Sequence, residues 1–300
     1  MQIIKSVAEM IKWSFEYRCN NPDKKIGFVP TMGYLHQGHL SLIELAAQKC
    51  NAIVVSIFVN PIQFNNAEDL EHYPRDLPRD ISLLEKLNDP IKISVVFIPD
   101  ATEVYKTGYP EIFLDYPKLT GKLCGKSRPG HFSGVLAIVH NLFMFVQPHI
   151  AVFGLKDYQQ YLLIKKMSTD LQMGVEVIPG NLIRDPDGMA MSSRNARLSP
   201  SERETALIIS KSLFKVRDEF QSGKLHPEKR KSLYLKNILH ESLSGIQIDY
   251  ASLYDCQTLE EYDENITVEN TIVAVAVFIG KIRLIDNLLL ISKPLSEAGI

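Results

Sequence analysis

The sequence predicts an α/β chain: a parallel sheet covered by helices over residues 1–184, then a smaller α+β domain over 185–300. Three observations predict it. Through roughly the first 180 residues, short apolar runs alternate with helix-like patterns, which argues a parallel sheet covered on both faces. One of those runs, Ala52–Val59 (AIVVSIFV), is apolar almost throughout, as a strand buried on both faces must be. In the last third, helices come first and strands follow, which is the order of a separate α+β unit.

The elements follow in order. Lys25–Pro30 (KIGFVP) reads as a strand, followed by a glycine-punctuated turn and a helix from about His39 to Cys50. After the strand Ala52–Val59 come a polar loop, a helix near Pro78–Leu87 and a strand at Ile93–Ile98. Phe132–Val146 is apolar enough for a buried helix. Ile150–Phe153 reads as a strand, Asp157–Leu171 as a helix and Val175–Ile178 as a strand. The boundary is placed near Arg184–Gly188, where Arg-Asp-Pro-Asp-Gly is turn chemistry. Beyond it, Ser199–Ser222 and Pro227–Ser242 read as helices with joints at Gly223 and Pro227. Gln247–Leu253, Thr271–Ile279 and Lys281–Ile285 read as strands, the last two flanking Gly280 like a hairpin.

Composition narrows the partners. Lys and Arg total 33 against 35 Asp and Glu, a net charge of −2, which does not suggest nucleic acid or an anionic membrane. The four cysteines, Cys19, Cys50, Cys124 and Cys256, form no C-x-x-C pair and suit a reducing cytoplasm. No stretch approaches the 18 or so apolar residues of a membrane span. Ligands of a parallel sheet bind beyond the carboxyl ends of its strands. The segments after Pro30, Val59, Phe153 and Ile178 are therefore the places to look.

Four segments carry chemistry. In Pro30-Thr31-Met32-Gly33-Tyr34-Leu35-His36-Gln37-Gly38-His39, the glycines allow a tight turn, and the helix start offers N–H groups and a positive dipole end to an anion. His36 and His39 can donate to phosphate oxygens as charge builds there. An isolated H-x-G-H is often two surface histidines. Here it follows a strand and opens a helix, the context in which it marks nucleotidylyltransferases and their relatives. A metal would need a third ligand, and none is evident nearby.

In Val59-Asn60-Pro61-Ile62-Gln63-Phe64, the Gln63 amide can both donate and accept, which suits a small polar substrate. In Gly154-Leu155-Lys156-Asp157-Tyr158-Gln159-Gln160, Lys156 can neutralise phosphate, while Asp157 could hold Mg²⁺ or cap the helix. Gln160 lies one helical turn beyond Lys156, on the same face. In Met189-Ala190-Met191-Ser192-Ser193-Arg194-Asn195, two hydroxyls and a guanidinium in sequence make a phosphate grip.

Together with S-I-F-V-N-P-x-Q-F, Arg128-Pro129-Gly130-His131-Phe132, Glu68-Asp69-Leu70, Tyr73-Pro74-Arg75 and Arg283-Leu284-Ile285-Asp286-Asn287, these segments resemble the pantothenate synthetase family over nearly the whole chain. The likeness is weakest between about Leu207 and Asp249. It implies a Rossmann-like nucleotidylyltransferase domain followed by a smaller lid domain, in a homodimer. It implies two steps: pantoate attacks the α-phosphorus of ATP to give pantoyl adenylate, and β-alanine then attacks the activated carbonyl. Mg²⁺ would accompany the ATP.

The resemblance also implies roles. His36 and His39 would contact the phosphates, with His39 as the catalytic acid. The nucleotide would be lined by Met32, Gly33, Tyr34, Leu35, Gln37 and Gly38, by Gly154, Leu155, Lys156 and Asp157, and by the Ile183 backbone. Met191, Ser192, Ser193 and Arg194 would hold its phosphates. Gln63 and Gln160 would hold pantoate, and Gln63 would help place β-alanine. Leu155 departs from the family, which usually shows Glu there. Two other readings compete: a different H-x-G-H adenylyltransferase, disfavoured by the Gln63 and Gln160 segments, and a non-catalytic nucleotide-binding module, disfavoured because every motif side chain is present.

Overall fold

The computed structural model describes residues 1–222, 227–263 and 270–290. The joint at Gly223 and the chain end at 291–300 lie outside the described residues. By their contacts the residues group into two compact units, Met1–Gly121 with Arg128–Leu182, and Lys122–Ser127 with Ile183–Ile300.

The elements run as follows. β1 (Gln2–Ile4) and α1 (Val7–Asn20) precede β2 (Ile26–Thr31), α2 (Gln37–Ala47) and β3 (Ala52–Ile57). A 3-10 turn at Pro61–Gln63, α3 (Ala67–Glu71) and α4 (Leu77–Ile91) lead to β4 (Ile93–Phe97). Three short helices follow, α5 (Ala101–Val104), α6 (Pro117–Thr120) and α7 (Leu123–Ser127). Then come α8 (His131–Val146), β5 (Ile150–Gly154), α9 (Tyr158–Asp170) and β6 (Glu176–Gly180). The remaining elements are α10 (Pro200–Ser222), α11 (Ser232–Ser242), β7 (Gln247–Asp255), β8 (Thr271–Ile279) and β9 (Ile282–Leu290).

In the first unit six strands form an all-parallel sheet in the order β1-β4-β3-β2-β5-β6. Every residue of β3 is buried, as its apolar run requires. The strand period of two splits the side chains between two cores. Val29, Val55 and Val96 join Ile43, Ala46 and Leu84 from α2 and α4. Phe28 and Phe97 meet Phe143 and Phe145 of α8, with ring centroids 6.3 and 6.5 Å apart. The chain winds outward from β2 through β3 to β4, then returns to place β5 on the other side of β2. That reversal makes the carboxyl ends of β2 and β5 the switch point of the sheet, where ligands of such folds bind.

In the second unit β7, β8 and β9 form an antiparallel sheet, with Ile279 opposite Ile282 across the Gly280–Lys281 turn. Gly280 has φ +56, the left-handed geometry a two-residue hairpin turn needs. Leu213, Val216, Leu235 and Leu239 of α10 and α11 bury Val273, Val275 and Val277 of β8. The long helix expected over Pro227–Ser242 is instead a 3-10 turn at Pro227–Arg230 followed by α11. Strand β9 runs beyond the expected Ile285 to Leu290, and Arg184 holds the Asp286 carboxylate and the Asn287 carbonyl along this extension. The segment Lys122–Ser127 belongs to this unit through Lys122 Nζ to the Thr258 carbonyl at 2.8 Å and Ser127 Oγ to Asp249 at 2.7 Å.

Candidate active site

The loop after β2 is fixed from both sides. Thr31 Oγ1 donates to the Ser56 carbonyl at 2.8 Å and accepts the Gly33 N–H at 3.1 Å. Gly33 and Tyr34 both take left-handed backbone, φ +79 and +50, which costs a non-glycine residue about 1–2 kcal/mol. Asp80 of α4, only 1% exposed, accepts the N–H groups of Tyr34 and Leu35, each at 2.7 Å. Burial pushes its carboxyl up from the usual range, opposed by those two N–H groups and by Arg79. Arg79 also stacks over the Tyr34 ring at 4.9 Å.

Helix α2 starts at Gln37, two residues earlier than the sequence suggests, with His36 as its N-terminal flanking residue. The imidazoles of His36 and His39 lie 4.0 Å apart, tilted by 30°. His39 Nδ1 accepts the His36 N–H over a long 3.4 Å. A nitrogen that accepts carries no proton, so in neutral His39 the proton sits on Nε2. Burial, then His36, then Lys156 hold the His39 imidazole well below the ordinary histidine range. His39 keeps part of its surface open to solvent, so the burial that matters is that of the ring among neighbouring atoms.

Lys156 comes from the 3-10 turn Leu155–Asp157 at the end of β5. The fold thus brings the two loops at the switch point together. Leu155 is a core side chain, 4% exposed, so it can meet a ligand only through its backbone. That accounts for an apolar residue at this position. Asp157 precedes α9 but makes no side-chain cap bond to it; its carboxylate is 3.6 Å from Lys156 Nζ. The capping alternative for Asp157 is therefore not realised. Of the two glutamines in the first turn of α9, Gln159 turns inward to donate to the Leu119 carbonyl at 2.7 Å, while Gln160 is half-buried.

After β3, the turn Pro61–Gln63 carries Gln63 into a buried polar network. Asn60 Nδ2 donates to Gln63 Oε1 and to the Gly134 carbonyl, both at 3.1 Å. Tyr105 Oη donates to Asn60 Oδ1 at 2.6 Å. Gln63 Nε2 lies 3.0 Å from Met32 Sδ. His131 Nδ1 reaches the Gln63 carbonyl at 2.7 Å, and Arg128 donates to the same oxygen at 3.3 Å. That carbonyl only accepts, so His131 carries its proton on Nδ1 and presents Nε2 to Arg128, 3.1 Å away.

In the second unit, Ile183–Arg184 pairs with Ala190–Met191, the Met191 N–H donating to the Ile183 carbonyl at 3.0 Å. The intervening turn is pinned by Arg203, which binds Asp185 and Asp187 at 2.8 Å each. Arg184 grips Asp286 through two bonds of 2.7 and 2.9 Å. This frame carries Ser192, whose hydroxyl accepts the Arg194 N–H at 3.3 Å, and buried Ser193 at the start of a 3-10 turn over Ser193–Arg197.

A family model for pantoate-beta-alanine ligase matches residues 2–289. The chain belongs to the pantoate–β-alanine ligase family. A protein named pantothenate synthetase from Thermotoga petrophila is 45% identical over 97% of this chain and all of that protein. The crystal structure of pantothenate synthetase from Thermus thermophilus superposes with a TM-score of 0.85 at 37% identity, covering 97% of this chain and 100% of that one. A pantoate-beta-alanine ligase from Francisella tularensis, described as complexed with Beta-gamma ATP and beta-alanine, gives 0.77 at 34% identity over 96% and 97% of the two chains.

In this pantoate–β-alanine ligase family member, the motifs of the first unit mark groups on the loops after β2, β3 and β5 and leave most of those behind them unmarked. Asp80, Asn60, Tyr105, Arg128, His131 and Gly134 have no role that the sequence alone assigns. Asn60, Arg128 and His131 lie inside recurring segments, and that was the available signal. Asp80 and Tyr105 carry no local signal, since their partners are 45 or 46 residues away.

Proposed function

We propose that the chain condenses pantoate with β-alanine at the expense of ATP, through a pantoyl adenylate. The observation that carries this reading is the set of donors at the switch point: His36, His39 and the start of α2 after β2, with Lys156 after β5. The pantoate carboxylate attacks the α-phosphorus, and the bond to the β-phosphate oxygen breaks to release pyrophosphate. The β-alanine amine then attacks the acyl carbon. An amide bond forms, AMP leaves with the acyl oxygen's electron pair, and the amine loses a proton.

No protein nucleophile is needed, so catalysis is positioning and charge stabilisation. His39, neutral in the free protein with its proton on Nε2, is placed to donate that hydrogen to a phosphate oxygen. Lys156 supplies the positive charge, and the Met32–Gly38 loop and Gly154–Asp157 line the nucleotide. The Ile183 backbone contacts adenine. Met191, Ser192, Ser193 and Arg194 add donors for the phosphates. Gln63 and Gln160 hold pantoate.

Mg²⁺ would accompany the ATP and supply charge screening of its phosphates. Among the described residues no three His, Cys, Asp or Glu side chains gather as a metal site. Asp157, whose side chain makes no cap bond to α9, is the carboxylate beside Lys156 that would hold the ion. Among the described residues no helix is long and apolar enough to cross a membrane. On the family resemblance, the working form is a cytoplasmic homodimer, which sedimentation of the purified protein tests. The activity is tested by AMP release with Mg²⁺, ATP and pantoate, with and without β-alanine. AMP and pantothenate form in equal amounts when all substrates are present, and His39→Ala is severely impaired. If pantoate and β-alanine leave ATP turnover unchanged, the reading fails.

A further inference from the structure

A glutamine side chain has a donor end and an acceptor end, and the one that meets the substrate decides what it can bind. Here two buried groups decide it together, the Gly134 carbonyl at one end of Asn60 and the Tyr105 phenol at the other. The Gly134 carbonyl can only accept, so the Asn60 atom 3.1 Å away is the amide nitrogen Nδ2. The other end of that amide, Oδ1, then faces Tyr105 Oη at 2.6 Å, and the phenol must donate to it. The second hydrogen of Asn60 Nδ2 points at the nearest Gln63 atom, 3.1 Å away, which must be the acceptor Oε1. Gln63 Nε2 is thereby turned outward, where the chain offers it Met32 Sδ, a weak acceptor, at 3.0 Å.

The rest of the surroundings keep this arrangement in place. Asn60 is 1% exposed and Tyr105 8%, so neither polar end can turn to water without disturbing the core. The Tyr105 ring meets Phe58 and Tyr109 at 6.3 and 5.8 Å. Burial, with Tyr109, pushes the phenol further above its ordinary range, so it stays protonated and donating at any working pH. The Gln63 main chain is held by His131 and Arg128. Position 134 must lack a side chain, since a Cβ there would sit 2.7 Å from the Ile62 carbonyl oxygen and 3.0 Å from Gln63 Cα.

We propose that Tyr105 is a positioning residue: through Asn60 it fixes Gln63 as a donor, so that Gln63 binds the carboxylate and hydroxyl oxygens of the hydroxy-acid substrate and never the attacking amine. This rests on the reading that pantoate and β-alanine are the substrates. It narrows the expected role of Gln63, because its acceptor oxygen is turned inward to the buried Asn60 amide and Nε2 is the end left facing outward. Gln63 can touch β-alanine only at the carboxylate of that molecule.

The test is Tyr105→Phe, which keeps the ring and removes the donor. Wild-type turnover with pantoate and β-alanine first checks the underlying reading by itself. The variant is expected to raise the pantoate KM about tenfold while the KM values for ATP and β-alanine stay within about twofold and the melting temperature moves by only a few degrees. A purely structural role would move all three constants together or none, and either pattern overturns the proposal. Should Tyr105→Phe fail to fold, Asn60→Asp asks the same question. A carboxylate cannot donate to Gln63, so the Gln63 amide turns over and presents oxygen. Pantoate saturation should then be lost while ATP still shifts the melting curve; undiminished pantoate affinity in that variant sinks the idea.

Discussion

Replacing Asp80 with asparagine separates the stability of the fold from the order of the nucleotide loop. Asp80 accepts two backbone N–H groups at 2.7 Å and holds Tyr34 in a left-handed conformation that an unsupported loop would leave. Asparagine keeps one acceptor and turns its NH₂ toward the other N–H. One charge-assisted bond is lost and one buried donor is orphaned, a local cost of about 1–3 kcal/mol. Global stability responds differently. Burial raises the folded pKa of Asp80 above its unfolded value, so the associated stability is full below the unfolded carboxylate range and lost as pH rises through the raised value. At neutral pH the ionised carboxylate therefore weakens the fold, and asparagine relieves that while disturbing the loop. The melting temperature should move by no more than about 4 °C, corresponding to roughly 1 kcal/mol. The ATP KM should rise about 5- to 140-fold, the local cost at about 1.4 kcal/mol per decade. The assays are steady-state kinetics at saturating pantoate and β-alanine, and a thermal melt. The reasoning is refuted if Asp80→Asn melts as low as Asp80→Ala while its ATP KM stays within about twofold, for then Asp80 supports the core and not the loop.

Gly134→Ala should lower kcat/KM for pantoate by about tenfold or more, because the new methyl would meet backbone atoms of Ile62 and Gln63 that cannot swing aside; pantoate titrations of the variant check it. The kcat/KM for ATP should show no inflection near pH 6.5 from His39, since burial, His36 and Lys156 keep it neutral there. Its depressed pKa adds stability that is present above the unfolded histidine value and lost as pH falls toward the folded one. A pH–rate profile with an inflection near 6.5 that vanishes in His39→Gln would contradict this. Asp286→Asn should destabilise by about 3–5 kcal/mol in denaturant titrations, since it removes the charge facing the largely buried Arg184 guanidinium.

What could be read from the sequence was what is local. The strands of the sheet are legible because each is an apolar run, and β3 is buried at all of its positions. β1 is not, because two of its three residues are exposed and its pairing with β4 spans some ninety residues. The short helices α5, α6 and α7 have four or five residues, too few for a 3.6-residue period to show. In the site, His36, His39 and Lys156 could be found because each sits at a strand-to-helix turn. Asp80 could not, because a single acidic residue on an amphipathic helix reads as solvent-facing. Tyr105 reads as an ordinary aromatic until Asn60 is beside it. Leu155 shows the converse, a position within a nucleotide-facing motif whose side chain belongs to the core.

The groups behind the motifs also explain how a site built from amides and imidazoles can be specific. Glutamine and neutral histidine are ambivalent, each able to donate or accept through either of two positions. An ambivalent group recognises a substrate only after its orientation has been decided elsewhere. In this chain groups of fixed polarity decide it: the Gly134 carbonyl with the Tyr105 phenol for Asn60 and hence Gln63, the Gln63 carbonyl for His131, and the His36 N–H for His39. None of these groups flips, so each keeps its partner in one orientation. It follows that substitutions in the neighbours of the motifs should alter which substrate binds, even at residues that never touch it.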